Sequence, residues 1–316
     1  MSDAPFHPSP AATSAGFFDL QVNGFAGVDF QQDNLTARDL KKAVAALRAH
    51  GTDRILLTLI TDSIDRLCTK LARIEACLKK HPALAATIVG YHLEGPYLLP
   101  EPGFMGAHDP QWMHPPSSAE FERLWQAAGG RIRLMTLAPE WPGSPSFIRQ
   151  LVTQGVRVAI GHSNASADQI DEAIAAGLGL CTHLGNGVPL QLDRHYNIIQ
   201  RLLARDELYA TFIPDGIHLP SHVLKNFVRA KPRNKVLFTT DAMAAAGAPP
   251  GRYRLGHLIT EADANGIVRQ PGETRYFAGS SLTMDAAAAN VSSMLGWTPA
   301  QALAACSTRV ARYLGF

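Results

Sequence analysis

Four side chains suited to metal binding or acid–base chemistry each follow a short apolar run. Glu94 follows GYHL, His162 follows RVAIG, His183 follows GLCT and Asp241 follows VLFTT. Two imidazoles and a carboxylate are typical ligands of a catalytic zinc ion, and they leave positions free for water and substrate. A further carboxylate outside that ligand set is suited to act as a general base. These residue types therefore predict a metal-dependent hydrolytic site.

One polar residue at the end of an apolar run is commonplace and usually makes a structural hydrogen bond. Four such groups, each after a separate run, indicate one shared site if the runs are strands of one parallel sheet. Other polar residues hold similar positions, namely Asp19, Gln21, Asn23 and His92. The interpretation therefore depends on the elements that carry these residues.

Eight apolar runs alternate with helix-like segments and predict an α/β fold, a (β/α)8 TIM barrel. The runs span 17–22, 54–60, 87–93, 132–138, 156–160, 179–183, 208–213 and 235–240. Several are continuously hydrophobic, as strands of a parallel sheet buried on both faces must be. Active sites of such barrels lie at the C-terminal ends of the strands, where the four groups stand. A doubly wound open sheet is the alternative, because sequence alone does not show closure.

The chain of 316 residues suits one barrel. We expect a flexible N-terminal arm over residues 1–15, rich in Pro, Ala and Ser, and a single catalytic barrel over residues 16–316. Residues 250–277 contain an Asn-Gly pair between strand-like segments and predict a β-hairpin insertion. Two closing helices are expected, near 283–295 and 298–314.

Composition narrows the class of protein. Hydrophobic residues make up 46% and charged residues 18% of the chain, which is typical of a soluble globular protein. The net charge of +2 gives no electrostatic reason to expect nucleic acid or a membrane as partner. The sequence shows no signal peptide, no stretch that could span a bilayer and no dense cysteine spacing. We therefore expect a cytoplasmic enzyme.

Several blocks of the sequence resemble the N-acetylglucosamine-6-phosphate deacetylase family of the amidohydrolase superfamily. They are HLEGPYLLPEPGFMGAHDP (92–110), GHSNASADQIDEAIAAG (161–177), THLGN (182–186), PDGIHLP (214–220), TTDAM (239–243) and FAGSSLTMDAAAAN (277–290). The opening FFDLQVNGFAGVDF (17–30) is also similar. The similarity runs in order from about residue 16 to the end of the sequence.

The resemblance implies a division of roles. Glu94, His162 and His183 would bind a divalent metal, which can lower the pKa of a bound water to about 7. Asp241 would take the proton of that water during attack on the acetamide carbonyl and pass it to the departing amine. The metal and His108 would stabilise the developing oxyanion. The products would be acetate and an amino sugar.

Two residues at the end of the first strand decide the expected number of metal ions. Many amidohydrolases carry an HxH motif there, which this family replaces with Gln and Asn. The present sequence likewise has Gln21 and Asn23. Without those imidazoles a second metal loses its ligands, so we expect one divalent ion. A glutamate and two histidines suit zinc, our first choice, and also iron(II), manganese or cobalt.

The resemblance also implies a set of substrate-binding residues. They are Gln21, Ala107, His108, Asn186, Gly187, Arg194 and His218. Simpler roles are open for some of them, such as turn formation for Asn186 and Gly187. Arg194 stands where the family has a GREPG-like loop whose arginine helps bind the sugar phosphate. Its neighbours differ here, in PLQLDRHYNIIQ (189–200). Both a phosphorylated and a neutral N-acetyl sugar are therefore candidate substrates.

The sequence departs from the family in its architecture. Family members usually add a small β-sandwich built partly from a longer segment before the first strand, and only about sixteen residues precede it here. We expect a barrel without that sandwich. We also expect a homodimer, because the family's phosphate-binding arginine typically reaches across a dimer interface.

The function that the resemblance implies is deacetylation of N-acetylglucosamine-6-phosphate or a related N-acetyl amino sugar. One alternative is another amidohydrolase that acts on an N-acyl amino acid or a cyclic amide. The other is a non-catalytic sugar-binding barrel. The intact set of four chemical groups argues against the non-catalytic reading.

Overall fold

Eight parallel strands form the central sheet. The computed structural model describes residues 16–316, so the arm expected over residues 1–15 lies outside the described residues. The strands are β1 (Phe17–Val22), β4 (Thr52–Ile60), β5 (Ile88–Glu94), β6 (Ile132–Leu137), β7 (Arg157–Ile160), β8 (Leu180–Cys181), β9 (Tyr209–Phe212) and β10 (Val236–Phe238), paired in this order. Two short strands between β1 and β4, β2 (Gly24–Phe25) and β3 (Val28–Asp29), pair with each other.

The sheet closes on itself. Val22, at the end of β1, forms a parallel bridge with Ala242, which follows β10. The backbone N–H of Asn23 donates a 2.7 Å hydrogen bond to the carbonyl of Ala242. This closure separates the structure from a doubly wound open sheet and confirms the predicted (β/α)8 barrel.

Helices cover the outside of the barrel. They are α1 (Ala37–Ala49), α2 (Ile64–Lys80), α3 (Pro82–Thr87), α4 (Ser118–Ala127), α5 (Ser144–Thr153), α6 (Ala167–Ala176), α7 (Ile198–Leu203), α8 (Ser221–Ala230), α9 (Met284–Leu295), α10 (Pro299–Ala305) and α11 (Thr308–Leu314). Capping boxes at Thr36, Ser166 and Thr298 start α1, α6 and α10. No helix of residues 16–316 is both long and apolar enough to cross a membrane.

The N-terminal end of the barrel is filled by apolar side chains. Phe18 and Leu134, near the starts of their strands, pack in one buried cluster with Val310 and Leu314 of α11. The rings of Phe18 and Phe316 meet edge to face with their centroids 5.4 Å apart. The last helix therefore closes this end, and the polar side chains collect at the other.

The helix predicted over 298–314 is divided into α10 and α11. At the break, Ser307 Oγ donates a 2.7 Å hydrogen bond to the carbonyl of Gly16. The backbone N–H of Phe18 donates to the carbonyl of Cys306 at 2.9 Å. Contacts with the start of β1 therefore place the break, which helix propensity alone does not indicate.

Residues 250–277 form three antiparallel strands rather than one hairpin. The strands are β11 (Gly251–Leu255), β12 (Leu258–Ala262) and β13 (Val268–Arg269). The expected Asn-Gly turn lies between β12 and β13, and an additional turn at Gly256, with φ +58°, joins β11 to β12. The Gly256 backbone N–H donates to Asp29 Oδ2 at 3.0 Å, which fastens this sheet beside β3.

Candidate active site

The four chemical groups meet at the C-terminal end of the barrel. Glu94 ends β5, His162 and His183 stand in the loops after β7 and β8, and Asp241 follows β10. Glu94 and both histidines are buried, and Asp241 is partly exposed. All four line one cavity of about 400 Å³. The sequence-based prediction that these strand ends share one site agrees with this geometry.

Three of these groups have left-handed backbone conformations. The φ angles are +52° at His162, +29° at His183 and +50° at Asp241. Within residues 16–316, Ala26 is the only other non-glycine residue with a positive φ. Such conformations cost about 1–3 kcal/mol each and persist only where the surrounding structure imposes them. The barrel therefore holds these side chains in place against local backbone preference.

Glu94, His162 and His183 fit one metal ion. Nε2 of His183 lies 2.9 Å and Nε2 of His162 3.3 Å from Glu94 Oε1, and one donor atom from each residue lies within 4.8 Å of the others. Metal–ligand bonds of about 2.0–2.2 Å place neighbouring donors roughly 3–4 Å apart. Nδ1 of His162 bonds to the Phe104 carbonyl at 2.7 Å, which turns Nε2 towards the cluster.

The electrostatics of this cluster favour a cation. Burial by itself raises the pKa of Glu94, but hydrogen bonds from His162 and His183 outweigh it and hold that pKa well below its usual range. Burial lowers the pKa of His183, but the Glu94 carboxylate outweighs it and raises the pKa overall. The carboxylate is therefore charged, and a divalent cation can replace the imidazole protons as its partner.

Asp241 is outside the ligand cluster and has its own support. Asn23 Nδ2 donates a 2.7 Å hydrogen bond to Asp241 Oδ1. Burial, and then the charge of Glu94, raise the pKa of Asp241 to about 6, while the Asn23 hydrogen bond lowers it. Such a carboxyl group can accept and return a proton near neutral pH.

His108 lies beside the same carboxylate, with Nε2 3.7 Å from Glu94 Oε2. The backbone N–H of Thr61 donates to Nδ1 of His108 at 3.4 Å, so Nδ1 is an acceptor and the ring proton is assigned to Nε2. Burial, and then the charge of His162, lower the pKa of His108 to about 3. The ring is therefore neutral and offers an N–H donor.

Most of the predicted substrate-binding residues line the cavity. They are Ala107, His108, Asn186, Gly187 and His218. His218 is held by Asp215, whose Oδ2 lies 2.5 Å from His218 Nδ1. Gly187 has φ +64°, and a Cβ added there would lie 2.8 Å from Nδ1 of His162. Glycine is therefore required at this position by both backbone conformation and space.

Two predicted substrate-binding residues lie outside the cavity lining. Gln21 is fully buried in the barrel, and neither its amide nitrogen nor its amide oxygen has a hydrogen-bond partner among residues 16–316. Arg194 is exposed on the loop between β8 and α7. The structure therefore does not place either side chain among the residues that surround the cavity.

Sequence reasoning missed part of the cavity wall. Arg275 and Tyr276 line the cavity, and so does Phe277. Further apolar wall residues are Ile60, Val188, Leu190, Leu192, Ile199 and Leu255. Arg275 and Tyr276 precede the recognisable AGSSLTMD motif and carry no pattern of their own. Their position depends on how the three-stranded sheet docks, which no local signal reveals.

Known deacetylases are similar to this chain over most of its length. An N-acetylglucosamine-6-phosphate deacetylase from Danio rerio is 33% identical over 312 residues, which is 95% of this chain and 74% of the relative. An N-acetylgalactosamine-6-phosphate deacetylase from Escherichia coli O157:H7 is 34% identical over 302 residues, 95% of this chain and 77% of the relative. No family model matches the chain.

Solved structures show the same fold. A mutant N-acetyl-D-glucosamine-6-phosphate deacetylase from Mycobacterium smegmatis, in complex with N-acetyl-D-glucosamine-6-phosphate, superposes with a TM-score of 0.86 at 30% identity. That alignment covers 98% of this chain and 82% of the other. The Thermotoga maritima deacetylase gives a TM-score of 0.83 at 26% identity, covering 95% and 78%. The chain belongs to the N-acetylglucosamine-6-phosphate deacetylase family.

Proposed function

We propose that this protein hydrolyses the acetamide of N-acetylglucosamine-6-phosphate to acetate and the amino sugar phosphate. The observation that carries the proposal is the convergence of Glu94, His162 and His183 with an unliganded carboxylate, Asp241, in one cavity. The similarity to deacetylases along 95% of the chain supports the reaction class. The proposal also gives a role to each polar group at the inner end of the cavity.

Glu94, His162 and His183 would hold one divalent ion, for which zinc is our first choice and iron(II), manganese or cobalt the alternatives. A bound divalent ion supplies Lewis-acid polarisation of a carbonyl and makes water more acidic. The three side chains are buried and their donor atoms already face one another. Little rearrangement is therefore needed to form the site.

Asp241 would perform both proton transfers. It accepts a proton from the attacking water as the oxygen of that water bonds to the acetamide carbon. It then delivers this proton to the amide nitrogen, so that the C–N bond breaks and the sugar leaves as an amine. Asn23 fixes the carboxylate through its 2.7 Å hydrogen bond. The products, acetate and an amine, balance the substrate and one water.

His108 would stabilise the oxyanion. Its neutral ring carries the proton on Nε2, the nitrogen that lies 3.7 Å from Glu94 Oε2. A fixed N–H donor at the reacting carbonyl strengthens as negative charge develops on the oxygen. His218 and Asn186, farther along the same wall, would contact the sugar. Arg194 and Gln21 are not among the described residues that line the cavity of this chain.

The test is acetate release from N-acetylglucosamine-6-phosphate by purified protein loaded with zinc. Asp241→Asn should retain its metal and lose about a hundredfold or more in kcat, since the general base contributes at least that much. Asp168→Asn, which alters an exposed carboxylate on α6, is the matched control. Wild-type turnover by Asp241→Asn would contradict the mechanism.

The same assay separates the other candidate functions. N-acetylgalactosamine-6-phosphate is a second candidate substrate, because the E. coli relative named for it is 34% identical. Turnover of N-acyl amino acids or cyclic amides, without acetate release from either sugar, would indicate a different amidohydrolase. Absence of both metal and turnover would favour a non-catalytic sugar-binding barrel.

Homodimer formation and a cytoplasmic location complete the proposal. The loop between β8 and α7 exposes 59% of Leu190 and 60% of Tyr196, and exposed apolar side chains beside a cavity suit an interface. Arg194 on this loop would face the partner. Light scattering on the purified protein tests the dimer. A sugar phosphate substrate implies the cytoplasm, because charged phosphates do not cross bilayers unaided.

A further inference from the structure

An apolar wall, made of Ile60, Ala107 and Leu255, lines the cavity beside His108. Ile60 and Leu255 are almost fully buried and belong to one hydrophobic cluster, against which Ala107 packs. Ala107 immediately precedes His108 in the sequence. The cavity therefore has an apolar surface next to the side chain proposed to stabilise the oxyanion.

The apolar wall is connected to the reacting groups through the backbone. Ile60 pairs with Glu94 across β4 and β5, so the two side chains point to the same face of these strands. The backbone N–H of Thr61, the next residue, donates to His108 Nδ1 at 3.4 Å. Met243, which follows the proposed base by two residues, packs in the same hydrophobic cluster. The wall is thus adjacent to the supports of all three chemical functions.

Other apolar lining residues lie on the side where the sugar is proposed to bind. Val188 follows Asn186 by two residues, and Ile199 is on α7. Both are partly buried against the main core and not against the cluster of the apolar wall. The sugar nitrogen and the methyl group diverge from the planar carbonyl carbon of an acetamide. A sugar at Asn186 and His218 would therefore direct the methyl group away from this side.

We propose that Ile60 and Leu255, with Ala107, form the subsite for the acyl group and restrict the enzyme to short N-acyl groups. This inference rests on the proposed deacetylase function and deepens it. A methyl group packed on Ile60 and Leu255 is removed from water, which favours binding. Close packing at the same place excludes longer acyl chains.

A second cavity lies behind Ile60 and has a volume of about 140 Å³. Among the residues of the described chain, Ile60 is the only one that lines both this cavity and the cavity of the candidate active site. The second cavity has charged walls, where Lys70 Nζ lies 2.6 Å from Asp62 Oδ2. The Ile60 side chain therefore separates the two cavities and sets the depth of the acyl subsite.

Ile60 is fixed from two directions. Gln31 Oε1 accepts a 3.0 Å hydrogen bond from the backbone N–H of Ile60, and Gln31 Nε2 donates to the Thr58 carbonyl at 2.8 Å. On the other side, a Cβ added to Gly256 would lie 3.8 Å from Ile60 Cδ1. The Gly256 backbone is itself tied to Asp29. A longer acyl group therefore needs a smaller side chain at position 60, because the wall has little room to retreat.

Kinetics with substrates of increasing acyl length test the inference. The kcat/KM of wild type should fall about tenfold or more from N-acetyl- to N-butyrylglucosamine-6-phosphate, because added methylene groups do not fit. Ile60→Ala should raise the ratio of kcat/KM for the butyryl over the acetyl substrate about tenfold or more, since it opens the partition to the second cavity.

Two further variants keep the test decisive if Ile60→Ala does not fold. Ile60→Val removes a single methylene, so it should improve the ratio for the N-propionyl substrate and leave that for the N-butyryl substrate low. Leu255→Ala enlarges the subsite from β11 and should also favour the longer acyl groups.

Ile199→Ala is the matched control, because it makes the same chemical change in a residue that lines the opposite side of the same cavity. Its acyl preference should equal that of wild type. Unchanged preferences in the Ile60 and Leu255 variants, an equal gain in Ile199→Ala, or a wild type that does not prefer the acetyl substrate would each overturn the inference.

Calorimetry in the Asp241→Asn background separates this inference from the proposed function, because binding is measured without turnover. Asp241→Asn should bind N-acetylglucosamine-6-phosphate about tenfold or more tightly than the N-butyryl compound, and adding Ile60→Val or Leu255→Ala should narrow this difference. That result without acetate release from wild type would support the acyl subsite and reject the deacetylase. Acetate release with equal binding of both compounds would keep the deacetylase and reject the acyl subsite.

Discussion

Asn23 Nδ2 donates a 2.7 Å hydrogen bond to Oδ1 of Asp241, across a sequence separation of 218 residues. The two residues meet because the bridge between Val22 and Ala242 closes the barrel directly beside them. The bond has one effect on geometry and one on charge. It orients the carboxylate, and it favours the ionised form that can accept a proton.

Asn23→Ala should lower kcat about tenfold while leaving metal content unchanged, because the base loses orientation but the metal ligands stay. Removing a hydrogen bond from the charged form raises the pKa of Asp241. The acid limb of the kcat/KM profile should therefore move to higher pH. Kinetics between pH 5 and 9 provide the measurement, and an acid limb that moves to lower pH would contradict the assigned role.

His183→Ala should lose the metal ion, because one of three ligands disappears from a buried site. Elemental analysis of wild type should give about one divalent ion per chain, and chelation should lower both turnover and Tm, since a ligand of the folded state stabilises it. His222→Ala, in an exposed position on α8, serves as control and should keep its metal. Two ions per chain would contradict the single-site prediction.

Gly187→Ala should weaken metal binding about tenfold or more, because the new Cβ would lie 2.8 Å from Nδ1 of His162. Gly155→Ala is a close control. Gly155 also has a positive φ, +81°, but no atom lies within 4 Å of its added Cβ. Titration of the apo proteins with zinc compares the two. Equal affinities would show that the contact between the new Cβ and His162 does not affect metal binding.

Asp19 should produce a pH-dependent stability difference between wild type and Asp19→Asn. Burial raises the pKa of Asp19 from 3.8 to about 6, despite hydrogen bonds from Thr239 and Thr240. A carboxyl group whose pKa is raised by folding stabilises the folded state while it is protonated. This contribution is complete below about pH 4 and is lost as the pH rises towards 6.

The free energy of unfolding of wild type should therefore fall by about 3 kcal/mol relative to that of Asp19→Asn as the pH rises from about 4 to 6. Above that pH the difference between the two proteins should stay constant. Urea unfolding of both proteins at several pH values measures this. A wild type that gains stability relative to the variant as pH rises would show that its hydrogen bonds outweigh burial.

The sequence was sufficient for the barrel strands and the inner end of the site. Mainly apolar runs such as FFDLQV are buried along almost their whole length, and β1 spans the predicted residues 17–22. The chemical groups follow these runs directly. Once the strands form a barrel, Glu94 and His183 must therefore share one end of it.

The outer end of the cavity is built from loops, whose conformation is harder to predict from sequence than the position of a strand. The sequence predicts one hairpin here, whereas the structure has three strands, because a second turn forms at Gly256 with φ +58°. Arg275 lines the cavity from the loop after β13, and the three-stranded sheet that precedes this loop is tied to Asp29 through the Gly256 backbone. Arg194 has the expected position in the sequence, but the path of its loop carries it away from the cavity wall.

Closure of the barrel between Val22 and Ala242 also sets an order on the growing chain. Glu94, His162 and His183 are all synthesised before Asp241, and the bridge that brings Asn23 to Asp241 needs residues from both ends of the barrel. The three candidate metal ligands thus precede the candidate base along the growing chain. The complete set of four side chains, and the bridge that closes the barrel beside Asp241, therefore exist only once the last strand has been made.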